Sequence, residues 1–207
     1  MAGEWSSTRS AITNPGNLEV KNSVFDSRDL GLTAVFAALY VVINVVQMVS
    51  VGNPTIYGPI QLRVADCLIA LAALFGWSVV GGVTLGCFLT NAYYFLGVQD
   101  VIFGPIANLI AATVVFLLRK HRFVACVAGA VPVGLIVGSY LSIFFPLLSP
   151  PDALNALPPL VAMIASLMIS SLIAIAGIGY IVLVMLSKRN FLRSLKSQGL
   201  KTADKNL

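Results

Sequence analysis

Arg63 and Asp66 stand three residues apart in the stretch IYGPIQLRVADCL, inside a long and mostly apolar run. An ionisable side chain within a membrane span costs about 2.5–3.5 kcal/mol at the bilayer centre. A cation and an anion kept there need a partner, a shallow position or a purpose. On a helix the two share a side and could pair. One reading makes them an interfacial ion pair that merely anchors a helix; the other makes them part of a binding site. The second gains from its company, because the same side of the molecule is expected to collect Tyr57, Gln61, Asn91, Tyr93, Tyr94, Gln99 and Asp100. Aromatic faces, amides, carboxylates and a guanidinium together suit a flat, polar, nitrogen-rich small molecule. Rings stack on its face, amides and carboxylates meet its N–H donors, and Arg63 meets a carbonyl.

Catalytic chemistry is poorly supplied. The lone histidine, His121, belongs to the basic turn RKHR, so no serine has a base at its own depth. His, Cys and carboxylates lack metal-ligand spacing, and there is no Walker A sequence, so any ATP use must come from a partner. Cys67, Cys87 and Cys126 fall in apolar runs without a CxxC pair and read as small buried hydrophobes. A channel would show rings of charge or a carbonyl filter. A proton-coupled carrier would show mid-span carboxylates or inverted repeats. The expectation is a binding protein, neither enzyme nor metal site, with a self-sufficient carrier or channel as the alternative.

The elements that must position these groups are membrane helices. Of 207 residues, 58% are hydrophobic and only 10% charged, with a mean hydropathy of +0.92, against about 25% charge in soluble domains. The net charge of +5 is not a nucleic-acid face, because twelve of the thirteen Lys and Arg lie in the N-terminal tail, the RKHR turn and the C-terminal tail. That is an orientation code. No secretory signal is visible in the polar first thirty residues.

Six apolar segments are expected: 30–48, 62–75, 79–96, 101–118, 123–145 with Pro132 as a kink, and 160–186. The join at FGWS (75–78) decides between six spans and five. Six put all three basic regions on one side and leave the loops near Gly52, Gly97 and Ser149 free of Lys and Arg, as the positive-inside tendency requires. The expected organisation is a cytoplasmic tail (1–29), a six-helix transmembrane substrate-binding domain (30–187) and a basic cytoplasmic tail (188–207) in a multi-pass cell-membrane protein. Gly82 and Gly86 form a G-x-x-x-G read as internal packing; Ala34 and Ala38 form an A-x-x-x-A.

YGPIQLRVAD, GGVTLGCFLTNAYYFLG and DVIFGPIANLIAATVVFLLRK together resemble the queuosine-precursor transporter family (QueT), substrate-binding S components of energy-coupling factor (ECF) transporters. The similarity covers residues 32–145, and the rest by span count only. The resemblance implies an all-α, six-helix S-component bundle with both ends cytoplasmic and a pocket near the outer face. It implies a membrane scaffold (the T component) and two cytosolic ABC-type ATPases as partners, no cofactor on this chain, and Ala34 and Ala38 as the docking surface; ordinary packing within the monomer is the other reading of that pair. It implies a 7-deazaguanine substrate, 7-aminomethyl- or 7-cyano-7-deazaguanine, or failing that another vitamin or heterocycle. The expected contacts are Tyr57, Gln61, Arg63, Asp66, Asn91, Tyr94, Asp100 and Asn108. Asp66 or Asp100 would take the guanine-like edge and the other acid the aminomethyl ammonium, with Tyr57 or Tyr94 stacked on the ring.

Overall fold

In hydrocarbon a backbone segment must satisfy its own N–H and C=O groups, which favours helices. Every regular element among the described residues is helical. The computed structural model describes residues 27–51, 62–145 and 157–188; the two tails and the loops around Gly52 and Ser149 lie outside them. The helices are α1 (Ser27–Val51), α2 (Val64–Phe75), α3 (Trp77–Tyr93), α4 (Val98–Leu117), α5 (Arg122–Phe144) and α6 (Pro159–Leu186). Apolar side chains such as Val35, Val46, Leu85, Ile110 and Ile181 stand exposed around the outside. Such a surface needs a bilayer to cover it. The chain is an all-helical, polytopic membrane protein.

Four helices, α1, α4, α5 and α6, are long and apolar enough to cross a membrane. The expected second span is different. α2 opens as a 3₁₀ helix over Val64–Leu71, and Ala65 through Leu74 are buried. With about 2 Å of rise per 3₁₀ residue, α2 reaches about 22 Å, short of the roughly 30 Å of hydrocarbon. It is a core element wrapped by the others rather than a helix facing lipid. Its backbone is approached by Gly179, at the end of a π-helical turn (Leu172–Gly179) inside α6. A Cβ on Gly179 would lie 2.6 Å from the Cys67 carbonyl oxygen.

Residues 62–96 are not one helix. Gly76, at φ 66° and ψ −135°, breaks α2 from α3; a left-handed φ is freely available only to glycine. The chain turns there and α3 runs back. The G-x-x-x-G of α3 then receives α1: a Cβ at Gly82 would sit 2.6 Å from Phe36 Cβ, and one at Gly86 2.7 Å from Tyr40 Cβ. Small residues let two backbones close in this way. Since Phe36 meets Gly82 and Tyr40 meets Gly86, the two helices run parallel. On the other side of the bundle, Gly134 meets Met168 and Gly138 meets Ile164, so α5 and α6 are antiparallel. Pro132, expected to kink its span, lies inside α5, which continues uninterrupted through it.

The alternation brings the start of α1, the α4–α5 turn and the end of α6 to one end of the bundle. Arg28, Arg119, Lys120, Arg122 and Lys188 therefore gather there. Of the polar residues singled out in the sequence, those among the described residues collect toward the opposite end.

Candidate functional site

α1 presents Tyr40, Asn44 and Gln47 at spacings of four and three, one stripe on its inward face. Tyr40 and Asn44 are almost fully buried. Gln47 lies near the end of α1 and meets the residues that lead into α2: its Nε2 donates to the Leu62 carbonyl at 2.5 Å, and its Oε1 accepts from Val64 N–H at 3.0 Å. Between those two contacts sits Arg63, in extended backbone (φ −91°, ψ 100°) ahead of the 3₁₀ turn.

Asp66 is buried, 3% exposed, in the first turn of α2. Its Oδ1 accepts the Tyr40 hydroxyl at 2.8 Å, and the same hydroxyl oxygen accepts from Asn108 Nδ2 at 2.9 Å. A chain of donors from α4 through α1 thus ends on the carboxylate of α2.

Asp100 is equally buried in the first turn of α4, where the free N–H groups of the helix favour a negative charge. Its Oδ1 accepts the Tyr140 hydroxyl of α5 at 2.5 Å and faces an Arg63 guanidinium nitrogen at 3.6 Å. Its main-chain carbonyl takes Asn91 Nδ2 from α3 at 2.9 Å. Gly104 explains how Asn91 gets there: a Cβ at that position would collide with the Asn91 amide. The Tyr140 ring is held by Phe103, stacked at 5.8 Å with the planes 29° apart.

The arrangement is two acids at membrane depth, each engaged by a tyrosine hydroxyl, sharing one guanidinium region. In such surroundings buried polar groups are satisfied or costly. The one buried side-chain atom without a partner among the described residues is Ser166 Oγ of α6. Thr33, Thr84, Thr90, Thr113 and Ser139 each return their hydroxyl to the carbonyl four residues back; Ser166 does not.

Of the sequence-derived site residues, the structure brings together Arg63, Asp66, Asn91, Asp100 and Asn108. The ion pair links Arg63 with Asp100 of another helix, whereas the sequence spacing had suggested Asp66. Tyr94 caps the end of α3, half-buried, its ring edge-on to that of Tyr93 at 4.8 Å. Tyr57 and Gln61 lie outside the described residues. Ala34 and Ala38 are exposed on the outer face of α1, away from the side that packs on α3.

Tyr40, Tyr140 and Gln47 are participants that the sequence did not single out. Single tyrosines and a glutamine in apolar runs read as belt or filler. The polar spacing Tyr40–Asn44–Gln47 along one face of α1 was the available signal.

The family model described as QueT transporter matches residues 30–188 of this chain. The curated queuosine precursor transporter QueT of Lactococcus lactis subsp. cremoris (strain MG1363) is 36% identical over 90 residues, 44% of this chain and 50% of that protein. The chain thus spans about half the length of the curated relative it matches. No solved structure matches the chain.

Proposed function

The chain belongs to the QueT transporter family, and from that premise we propose that it is the substrate-binding S component of an ECF-type uptake transporter. It crosses the membrane as a six-helix bundle, with both termini and the basic end in the cytoplasm. It captures a queuosine precursor of the 7-deazaguanine class at the outer face. Release inward is driven by a T component and two ATPases that dock through the Ala34–Ala38 face of α1.

The observation that carries this reading is the buried polar network of two carboxylates, Asp66 and Asp100, with one guanidinium, Arg63. A guanine-like edge offers N1–H and an exocyclic amine that one carboxylate accepts together, and a carbonyl oxygen suited to Arg63. The charge count adds a preference. With both acids ionised, two carboxylates against one guanidinium leave a formal negative charge, which an ammonium group neutralises and a nitrile does not. The 7-aminomethyl form therefore fits better than the 7-cyano form. The name of the Lactococcus relative supports the substrate class, and the exposed alanines support the docking face.

The test is calorimetry of the full chain in nanodiscs with 7-aminomethyl-7-deazaguanine, 7-cyano-7-deazaguanine and adenine. Binding of the first, weaker binding of the second and none of the third is expected. Asp66→Asn and Asp100→Asn should each weaken it by about a hundredfold, the loss of a charge-assisted contact worth roughly 1.5–3 kcal/mol. Unchanged affinity in both variants, or no response to any deazaguanine, would sink the proposal.

A further inference from the structure

We infer that Gln47 is a positioning residue for the binding site: its side-chain amide holds the backbone on both sides of Arg63 and so aims the guanidinium at Asp100. The inference rests on Arg63 serving the guest proposed above.

Leu62 lies ahead of α2 and Val64 opens it, so the Leu62 carbonyl and the Val64 N–H fall outside the helix's own bonding. At membrane depth such groups are costly unless something in the protein takes them. In an extended segment the carbonyl of one residue and the N–H of the residue two further on point to the same side. Here these are the Leu62 carbonyl and the Val64 N–H, and Gln47 meets both. The Arg63 carbonyl is taken in turn by the Asp66 N–H at 3.2 Å. With its neighbours pinned on either side, Arg63 has little freedom in φ and ψ, and its side chain is committed to the Asp100 side of the bundle.

The chemistry requires a carboxamide. A donor and an acceptor are needed side by side, and only Asn and Gln supply both at every pH. Asparagine is shorter by one methylene. Glutamate makes both contacts only while protonated; once ionised it sets a carboxylate oxygen against the Leu62 carbonyl. Leucine fills the space and makes neither bond. Gln47 also continues the stripe that holds Asp66 through Tyr40, so one helix, α1, supports the site's cation by its last turn and one of its acids by its middle.

The experiment is a double-mutant cycle combined with hydrogen exchange, on the full chain in nanodiscs. Gln47→Leu should weaken binding of 7-aminomethyl-7-deazaguanine roughly tenfold, the equivalent of about 1.4 kcal/mol, with an unfolding temperature still well above that of the binding measurement. In an Arg63→Ala background the same substitution should cost less than about twofold, because Gln47 acts through Arg63. Gln47→Glu should bind nearly as well as the parent where its carboxyl is protonated and like Gln47→Leu where it is ionised. Independently of any ligand, the Val64 amide should lose exchange protection in Gln47→Leu, and Arg63 should become more reactive to phenylglyoxal. Additive losses in the cycle, or Val64 protection and Arg63 reactivity unchanged from the parent, would overturn the inference. Failure of every deazaguanine to bind would overturn the proposed function instead, and the exchange and labelling readouts would still decide the role of Gln47.

Discussion

Arg63 on the entry to α2 faces Asp100 on α4 at 3.6 Å, although Asp66 is only three residues away along its own chain. The guanidinium thereby ties two helices together instead of bracing one. Asp100→Asn is expected to destabilise the protein by roughly 3 kcal/mol, since removing one member of a buried pair takes that attraction from the other charge. The double variant Arg63→Gln, Asp100→Asn should recover part of that loss. Unfolding of both variants in a matched detergent series checks this; a double variant as unstable as the sum of its singles contradicts the pairing.

The two tyrosines make a separable prediction. Tyr40→Phe removes both the hydroxyl bonded to Asp66 and the acceptor for Asn108. Tyr140→Phe removes one donor to Asp100 and keeps the ring on Phe103. Each lost bond to a charged group is worth about 1.5–3 kcal/mol, and Tyr40→Phe should cost more because Asn108 is stranded as well. Thermal unfolding with equal losses in the two variants, or none, would contradict the network.

Gly82 and Gly86 test the parallel packing of α1 on α3. Gly82→Ala places a Cβ 2.8 Å from the Thr33 carbonyl oxygen, a contact with backbone that no rotamer change relieves. A loss of about 1–3 kcal/mol is expected from such overpacking. Gly31→Ala, with open space around its Cβ, should be neutral or stabilising and serves as the control.

Ser166 points the other way. Replacing its unpartnered buried hydroxyl by the methyl of Ser166→Ala removes a desolvated polar group, and stability of the empty protein should rise by about 1 kcal/mol. A fall in unfolding temperature would show that the hydroxyl has a partner.

Ala34→Trp and Ala38→Trp address the outer face of α1. Both positions are exposed, so unfolding temperature and ligand affinity of the isolated chain should be unchanged. Uptake in cells carrying the complete transporter should fall at least tenfold if partners dock there. Normal uptake with both variants would move docking to another face.

Much of this architecture is written locally. The span expected at 123–145 is observed at Arg122–Phe144, and that expected at 160–186 at Pro159–Leu186. An apolar run of sufficient length becomes helical in hydrocarbon whatever its neighbours do. Gly76 as the break within FGWSVV and the basic residues gathering at one end follow equally from local sequence, as does the presence of Arg63, Asp66 and Asp100 at an apolar depth. Tertiary structure alone decided which of them meet. Helix rotation and relative depth, fixed by the close approaches at Gly82, Gly86, Gly104, Gly134, Gly138 and Gly179, put Asp100 of another helix within 3.6 Å of the Arg63 guanidinium. They also recruited Tyr40, Tyr140 and Gln47, and buried the short second segment, α2, inside the bundle. A linear sequence carries the period of a helix, but the angle at which two helices face each other is a property of their packed surfaces.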